Sequence, residues 1–245
     1  CIYFCCSGVS DRRKKRNLRC VKSCICICMY YLAMFPLMYQ GISPIFLTII
    51  VAVLTTIITL GLLGGISEKT VAAILGTASG VIIAAVAAII FGKAAGITGF
   101  NVSDIEALNY VGQNTKIKIG ELLFAGIIIS ALGAVMDVGM SISSSLNEIY
   151  QKNPEISGRE LFHTGIVIGR DMISTMSNTL ILAYVGGSIN LLMIVYAYSY
   201  QMHQILNLYS IGIEIMNGVA GSMGIILTVP FTAAITVFLL KKTRY

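Results

Sequence analysis

Residues 121–146 read ELLFAGIIISALGAVMDVGMSISSSL. A helix of about 20 mostly apolar residues crosses a bilayer, and this run is long enough. It nevertheless carries a carboxylate, Asp137, inside it. At 100° per residue, Gly126, Ser130, Gly133, Ser141 and Ser144 fall within about 40° of Asp137, while Leu, Ile and Val occupy the other faces. An ionised Asp facing lipid at a helix centre costs about 2.5–3.5 kcal/mol even on the lenient insertion scale. The stripe is therefore expected to face other helices or a wet cavity, and its partner is expected to be polar.

The rest of the chain agrees with a membrane setting. Of its 245 residues 56% are apolar and 11% charged, where an ordinary soluble domain has roughly 25% charged. The expected fold class is all-α: a polytopic transmembrane helix bundle of six to seven spans with short amphipathic surface helices. Tryptophan is absent, so tyrosine and phenylalanine have to supply the interfacial belts. A net charge of +6 would suggest nucleic acid in a soluble protein. Here Lys and Arg cluster beside apolar runs and set orientation instead, so the lipid bilayer is the expected partner and nucleic acid is not.

Residues 1–34 stand apart. All seven cysteines lie in Cys1–Cys28. Cys24, Cys26 and Cys28, spaced by two, point to different faces of a helix, so no metal site is expected there, and no cofactor anywhere. The chain starts with Cys1 rather than Met, which points to a fragment. Cys-Ile-Cys-Ile-Cys can be written TGT ATT TGT ATT TGT, which one base later reads Val-Phe-Val-Phe; the expectation is that residues 1–34 are translated out of frame. The basic block from Arg12 to Lys22 is expected to stay cytoplasmic, before an apolar run from Cys24 to Tyr39.

Further along, Pro44 opens a span to about Ile66, with a φ suited to a first helical turn. A third runs from Thr70 to Gly92, where Gly76, Gly80, Ala84, Ala88 and Gly92 form a small-residue ridge that lets helices approach closely. Ser103-Asp104-Ile105-Glu106 reads as a capping box for a short amphipathic helix ending near Gln113, and Asn101-Val102-Ser103 matches a glycosylation acceptor. The last clear span, Gly218 to Leu240, contains Gly221 and a kinking Pro230, and the basic tail 241–245 anchors it.

Ser157-Gly158-Arg159-Glu160 is a second capping box, opening a helix to about Tyr184. Within it Arg170, Asp171, Ser174, Thr175, Ser177 and Asn178 make a polar wedge about 160° wide, which no lipid-facing helix would carry. If this helix enters the membrane near Arg170 and the Asp137 helix leaves it near Ser145, Asp137 lies about 12 Å deep and Asn178 equally so, at a rise of 1.5 Å per residue. The expected site joins the two stripes, with Asp137 within hydrogen-bonding reach of Ser174 or Asn178. Ser188 to Gln204 is either a full span with a polar end or a dip that returns. The dip places more Lys and Arg on the side of the basic N-terminal block, so a cytoplasmic C-terminus is expected. His163 and His203 lie 40 apart with no ligand pattern around them, and read as interfacial residues.

Several blocks carry a resemblance: AGIIIS at Ala125–Ser130, ALGAVMD at Ala131–Asp137, MSISSSL at Met140–Leu146, Asn153-Pro154, Glu160-Leu161-Phe162, IGRD at Ile168–Asp171, TMSNTLILAY at Thr175–Tyr184 and GSMGIILTVPFTA at Gly221–Ala233. In this order and spacing the chain resembles the YibE/F-like multipass membrane proteins of bacteria, over about Phe35 to Leu240. Residues 1–34 depart from the family pattern, being cysteine-rich where the family is aliphatic, and the family's usual chain is longer, with an exported domain. The resemblance implies a bacterial plasma-membrane location and no established reaction.

The function expected from these residues is that of a permease. Asp137 is its cation or proton site, Arg170 and Asp171 a charged pair near the entrance, and Ser141, Ser174, Thr175 and Asn178 its lining; the substrate is an unspecified small solute or ion. Gly76, Gly80, Gly126, Gly133 and Gly221 are expected to pack helices. The alternative is a non-transporting scaffold or subunit that receives a membrane-protein partner, or a second copy, along its glycine ridges. An enzyme is not expected, since neither a nucleophile elbow nor a metal motif brings Ser, Asp and His together.

Overall fold

The computed structural model describes residues 30–65, 67–100 and 105–242. The basic block, every cysteine, Asn101 and the Ser103 cap lie outside the described residues, as do residues 24–29 of the run Cys24–Tyr39. A π-helical turn Tyr30–Met34 leads into α1 (Phe35–Tyr39), followed by α2 (Pro44–Gly64), α3 (Glu68–Ala94), α4 (Ile105–Asn114) and α5 (Ile119–Lys152). Then come α6 (Gly158–Gly187), α7 (Ile189–Ala197), α8 (Met202–Leu206) and α9 (Tyr209–Lys242). All elements among the described residues are helical.

Four of these helices, α2, α3, α5 and α9, are long and apolar enough to cross a membrane, and α6 with α7 makes a fifth if the pair is one broken span. That is fewer than the six to seven expected. The polar wedge keeps α6 from qualifying by itself, and α7 leaves its axis at 56°.

The centre is α3, α5 and α9. The small-residue ridge of α3 is buried along its length. A Cβ built on Gly76 would collide with Thr232, one on Gly80 with Thr228 and Val135, and one on Gly92 with Phe124. The absent side chains thus bring three backbones together, and the contact supplies the dispersion energy that apolar burial cannot supply in lipid. Three of the threonines at this contact bond within their own helices: Thr228 Oγ1 to the Gly224 carbonyl at 2.6 Å, Thr236 Oγ1 to that of Thr232 at 2.7 Å, and Thr77 Oγ1 to that of Ala73 at 2.7 Å; Thr232 Oγ1 is buried against Gly76 with no partner among the described residues. Each of the three then presents mainly its methyl group to the neighbour.

These contacts also fix direction. Ala84 meets Gly224 and Gly76 meets Thr232, so α3 and α9 run antiparallel. Gly165 meets Ala233 and Gly169 meets Val229, so α6 and α9 do as well. The turn at 65–67, the loop at 153–157 and the end of α9 therefore share one end of the bundle. There Lys241 Nζ donates to the Ile156 carbonyl at 2.8 Å, and Ser143 Oγ donates to that of Lys69 at 2.6 Å. At the other end Ser43 Oγ donates to the Glu121 carboxylate, tying the start of α2 to the start of α5. Residues 188–208 leave and return at this second end, so Ser188–Gln204 does not cross. The last helix starts at Tyr209, earlier than Gly218, and continues through Pro230.

Candidate functional site

On α5 the buried residues Ile128, Leu132, Val135, Val138, Gly139 and Ile142 face α3 and α9. At 100° per residue their mean direction is opposite Asp137. The carboxylate is accordingly exposed, along with Gly126, Ser130 and Gly133, while Ser141 and Ser144 are half-buried. On α6, Leu161, Gly165, Gly169 and Leu180 are buried, the glycines against α9. The polar wedge again points the other way: Arg170, Asp171, Ser174, Thr175 and Asn178 are all exposed.

One cross-helix hydrogen bond ties α5 to α6: Ser130 Oγ and the Tyr184 hydroxyl, which reaches back about one turn along its own helix, lie 2.9 Å apart. Further along the pair Leu146 packs against Gly165, and counting nine residues back along α5 and nine on along antiparallel α6 brings Asp137 level with about Ser174 and Ser141 with about Arg170. We call this line the seam. The depth expected from sequence, Asp137 beside Asn178 and Arg170 beside Ser144, differs from this register by about one turn. The expected hydrogen bond differs more. Asp137 bonds neither Ser174 nor Asn178, because both stripes open outward from the seam instead of closing on each other. Thr175 Oγ1 donates to its own helix at the Asp171 carbonyl, 3.1 Å away. Ser177 Oγ is buried with no hydrogen-bond partner among the described residues.

The seam's charges are likewise unpaired among the described residues. The ion pair present is Lys118–Glu121 at 3.8 Å, at the second end, and Asp137, Arg170 and Asp171 have none. In lipid, the Asp137 charge, about 12 Å inside its helix from Ser145, would cost about 2.5–3.5 kcal/mol, so this face requires water or another polar surface over it. The packing glycines divide along the same line. Gly76, Gly80 and Gly221 are buried at helix contacts, the last against Leu180, whereas Gly126 and Gly133 face open space.

Two hollows lie away from the seam. A cleft of about 830 Å³ at the first end is lined by Ser67, Glu68, Lys69, Asn147 and Gln151. A lateral groove of about 560 Å³ between α6, α7 and α9 is apolar apart from Tyr184, Glu214, Ser188 and Ser222. Among the described residues no three His, Cys, Asp or Glu side chains converge as metal ligands; His163 and His203 are both exposed. Tyr184 was missing from the residues singled out by sequence, and Ser177 was named in the polar wedge but not among the lining residues; the signal for Tyr184 is its place on the helix that carries the wedge, opposite the Ser130 stripe.

A family model described as YibE/F-like protein matches residues 14–242. The match begins upstream of Phe35 and so takes in residues 14–34, which were expected to depart from the family pattern. No curated protein and no solved structure matches the chain.

Proposed function

The chain belongs to the YibE/F-like family, and on that premise we propose that it is a permease of the bacterial plasma membrane that moves a small solute or ion along the α5–α6 seam. Asp137 is the cation or proton site, Arg170 and Asp171 form the charged entrance, and Ser141, Ser174, Thr175 and Asn178 line the way. The observation that supports this reading is Asp137 itself: a carboxylate about 12 Å inside its helix from Ser145, exposed and with no ion pair among the described residues. A carboxylate already locked in a salt bridge would be a structural device. One with unpaired oxygens can take up and release a cation, and ionisable groups at this depth mark such pathways.

Lys69, Lys152, Arg159, Lys241 and Lys242 belong to the first end, against Lys93, Lys116 and Lys118 at the second. This bias supports a cytoplasmic first end and C-terminus. The test is flux into liposomes holding the purified protein and a pH-sensitive dye, driven by a potassium diffusion potential, then repeated with a sodium dye. Proton or sodium entry with the wild type and its loss in Asp137→Asn, at unchanged folding, is the expected result. Equal entry with both proteins would overturn the reading. The scaffold reading has the exposed face of α6 in its favour, and it requires that Asp137→Asn change no flux.

A further inference from the structure

Among the described residues nothing covers the outer face of α6 in a single copy. Arg170, Asp171, Ser174, Thr175 and Asn178 are exposed on it, and Asp137 is exposed beside it on α5. The floor next to Asp137 is flat, since a Cβ on Gly126 or Gly133 would touch nothing within 4 Å. We infer that a second copy of this chain, inserted in the same orientation, covers this face across a two-fold axis parallel to the bilayer normal.

The occupant follows from charge at matched depth. A two-fold axis along the normal brings together only residues at the same depth, so a face can pair with its own copy only if each level holds both a donor and an acceptor. This one does. Arg170 and Asp171 are adjacent, one cation and one anion, and neither has an ion-pair partner among the described residues; across the axis each meets the opposite charge. One level deeper, Ser174 and Thr175 can bond hydroxyl to hydroxyl. Deeper still, Asn178 carries both an amide donor and a carbonyl acceptor, so it can pair with its own copy. A face carrying charge of one sign would need a foreign partner, whereas this one is complementary to itself. Small residues on the floor let the two backbones approach.

The inference does not rest on transport, because contact between copies is measured without any flux. The experiment uses full-length protein in native membranes with the seven cysteines replaced by serine, and single cysteines introduced as Ser174→Cys or Asn178→Cys on α6 and, as control, Ile57→Cys on the exposed face of α2. Oxidation with copper phenanthroline should link copies through at least one α6 position and not through the control. In the linking background, Arg170→Asp or Asp171→Arg alone should reduce the linked fraction several-fold, and the double exchange should restore it. Two results would overturn the inference. One is linkage at the α6 positions no greater than at Ile57→Cys, as expected if the N-terminal segment of the same chain or a different membrane protein occupies the face. The other is linkage that the single charge reversals leave unchanged.

Discussion

The contact of α3 with α9 and the outer face of α6 both consist of small and polar residues, and they behave in opposite ways. Between α3 and α9, the hydroxyls of Thr77, Thr228 and Thr236 bond to their own helices and only that of Thr232 is buried without a partner among the described residues, so most of the polarity is neutralised locally and the surface that remains is small and apolar. Backbones then close to the point where no Cβ fits at Gly76 or Gly80. On α6, the Arg170, Asp171 and Asn178 side chains are too long and too polar to be satisfied by their own helix, and they stay exposed. The contrast teaches that small-residue content alone does not decide whether a membrane helix face is finished. What decides is whether most polar groups on it already have a partner.

The largest effect expected from this contrast is a reversal of sign between two glycines. Gly80→Ala places a methyl against Thr228 and Val135 and should lower stability by about 1–3 kcal/mol through overpacking. Within a single copy Gly133→Ala meets open space, so in the detergent-solubilised monomer it should raise stability by about 0.5–1 kcal/mol, since glycine is the poorer helix former. The fraction surviving a heating series in detergent, read by size-exclusion chromatography, compares them. Equal losses would break the comparison.

A smaller effect is expected where α6 begins. Ser157 Oγ accepts from the Glu160 backbone N–H at 3.2 Å, so Ser157→Ala should cost about 1 kcal/mol of stability. The same heating series checks it. Loss should be confined to α6, visible as faster amide exchange in its first turn, with α3 and α9 unchanged. Uniform loosening of all three helices would mean that α6 is as integral to the core as they are, and would remove the distinction between the two regions.

Much of this was legible beforehand. Pro44 marks the first residue of α2, the Ser157 cap marks the start of α6, and the four-residue spacing of Gly76, Gly80, Ala84, Ala88 and Gly92 marks the buried face of α3. Relative level along the α5–α6 pair was legible only to about one turn, because rise per residue is fixed but the register between helices is not. Rotation was not. Whether the stripes of Asp137 and Arg170 close on each other depends on which faces α3 and α9 claim, and that is decided by long-range packing at Val135, Val138, Gly165 and Gly169. Nor could the local pattern show that Ser188–Gln204 turns back, since a dozen apolar residues suit a short span and a surface helix equally well. The surroundings of Asp137 on α5 are open where a closed pair was expected.

The central claim is that Asp137 sits at membrane depth in a polar, wet seam, and water access at that position tests it most directly. In membrane vesicles of protein with its native cysteines replaced, Asp137→Cys and Leu54→Cys, the latter on an exposed apolar face of α2, are treated with a charged, membrane-impermeant methanethiosulfonate reagent. The account predicts rapid modification of Asp137→Cys and almost none of Leu54→Cys, because only the thiol in contact with water ionises and meets the reagent. Modification of Asp137→Cys as slow as that of Leu54→Cys, with both reacting fully with a membrane-permeant maleimide, would place Asp137 in lipid and contradict the account.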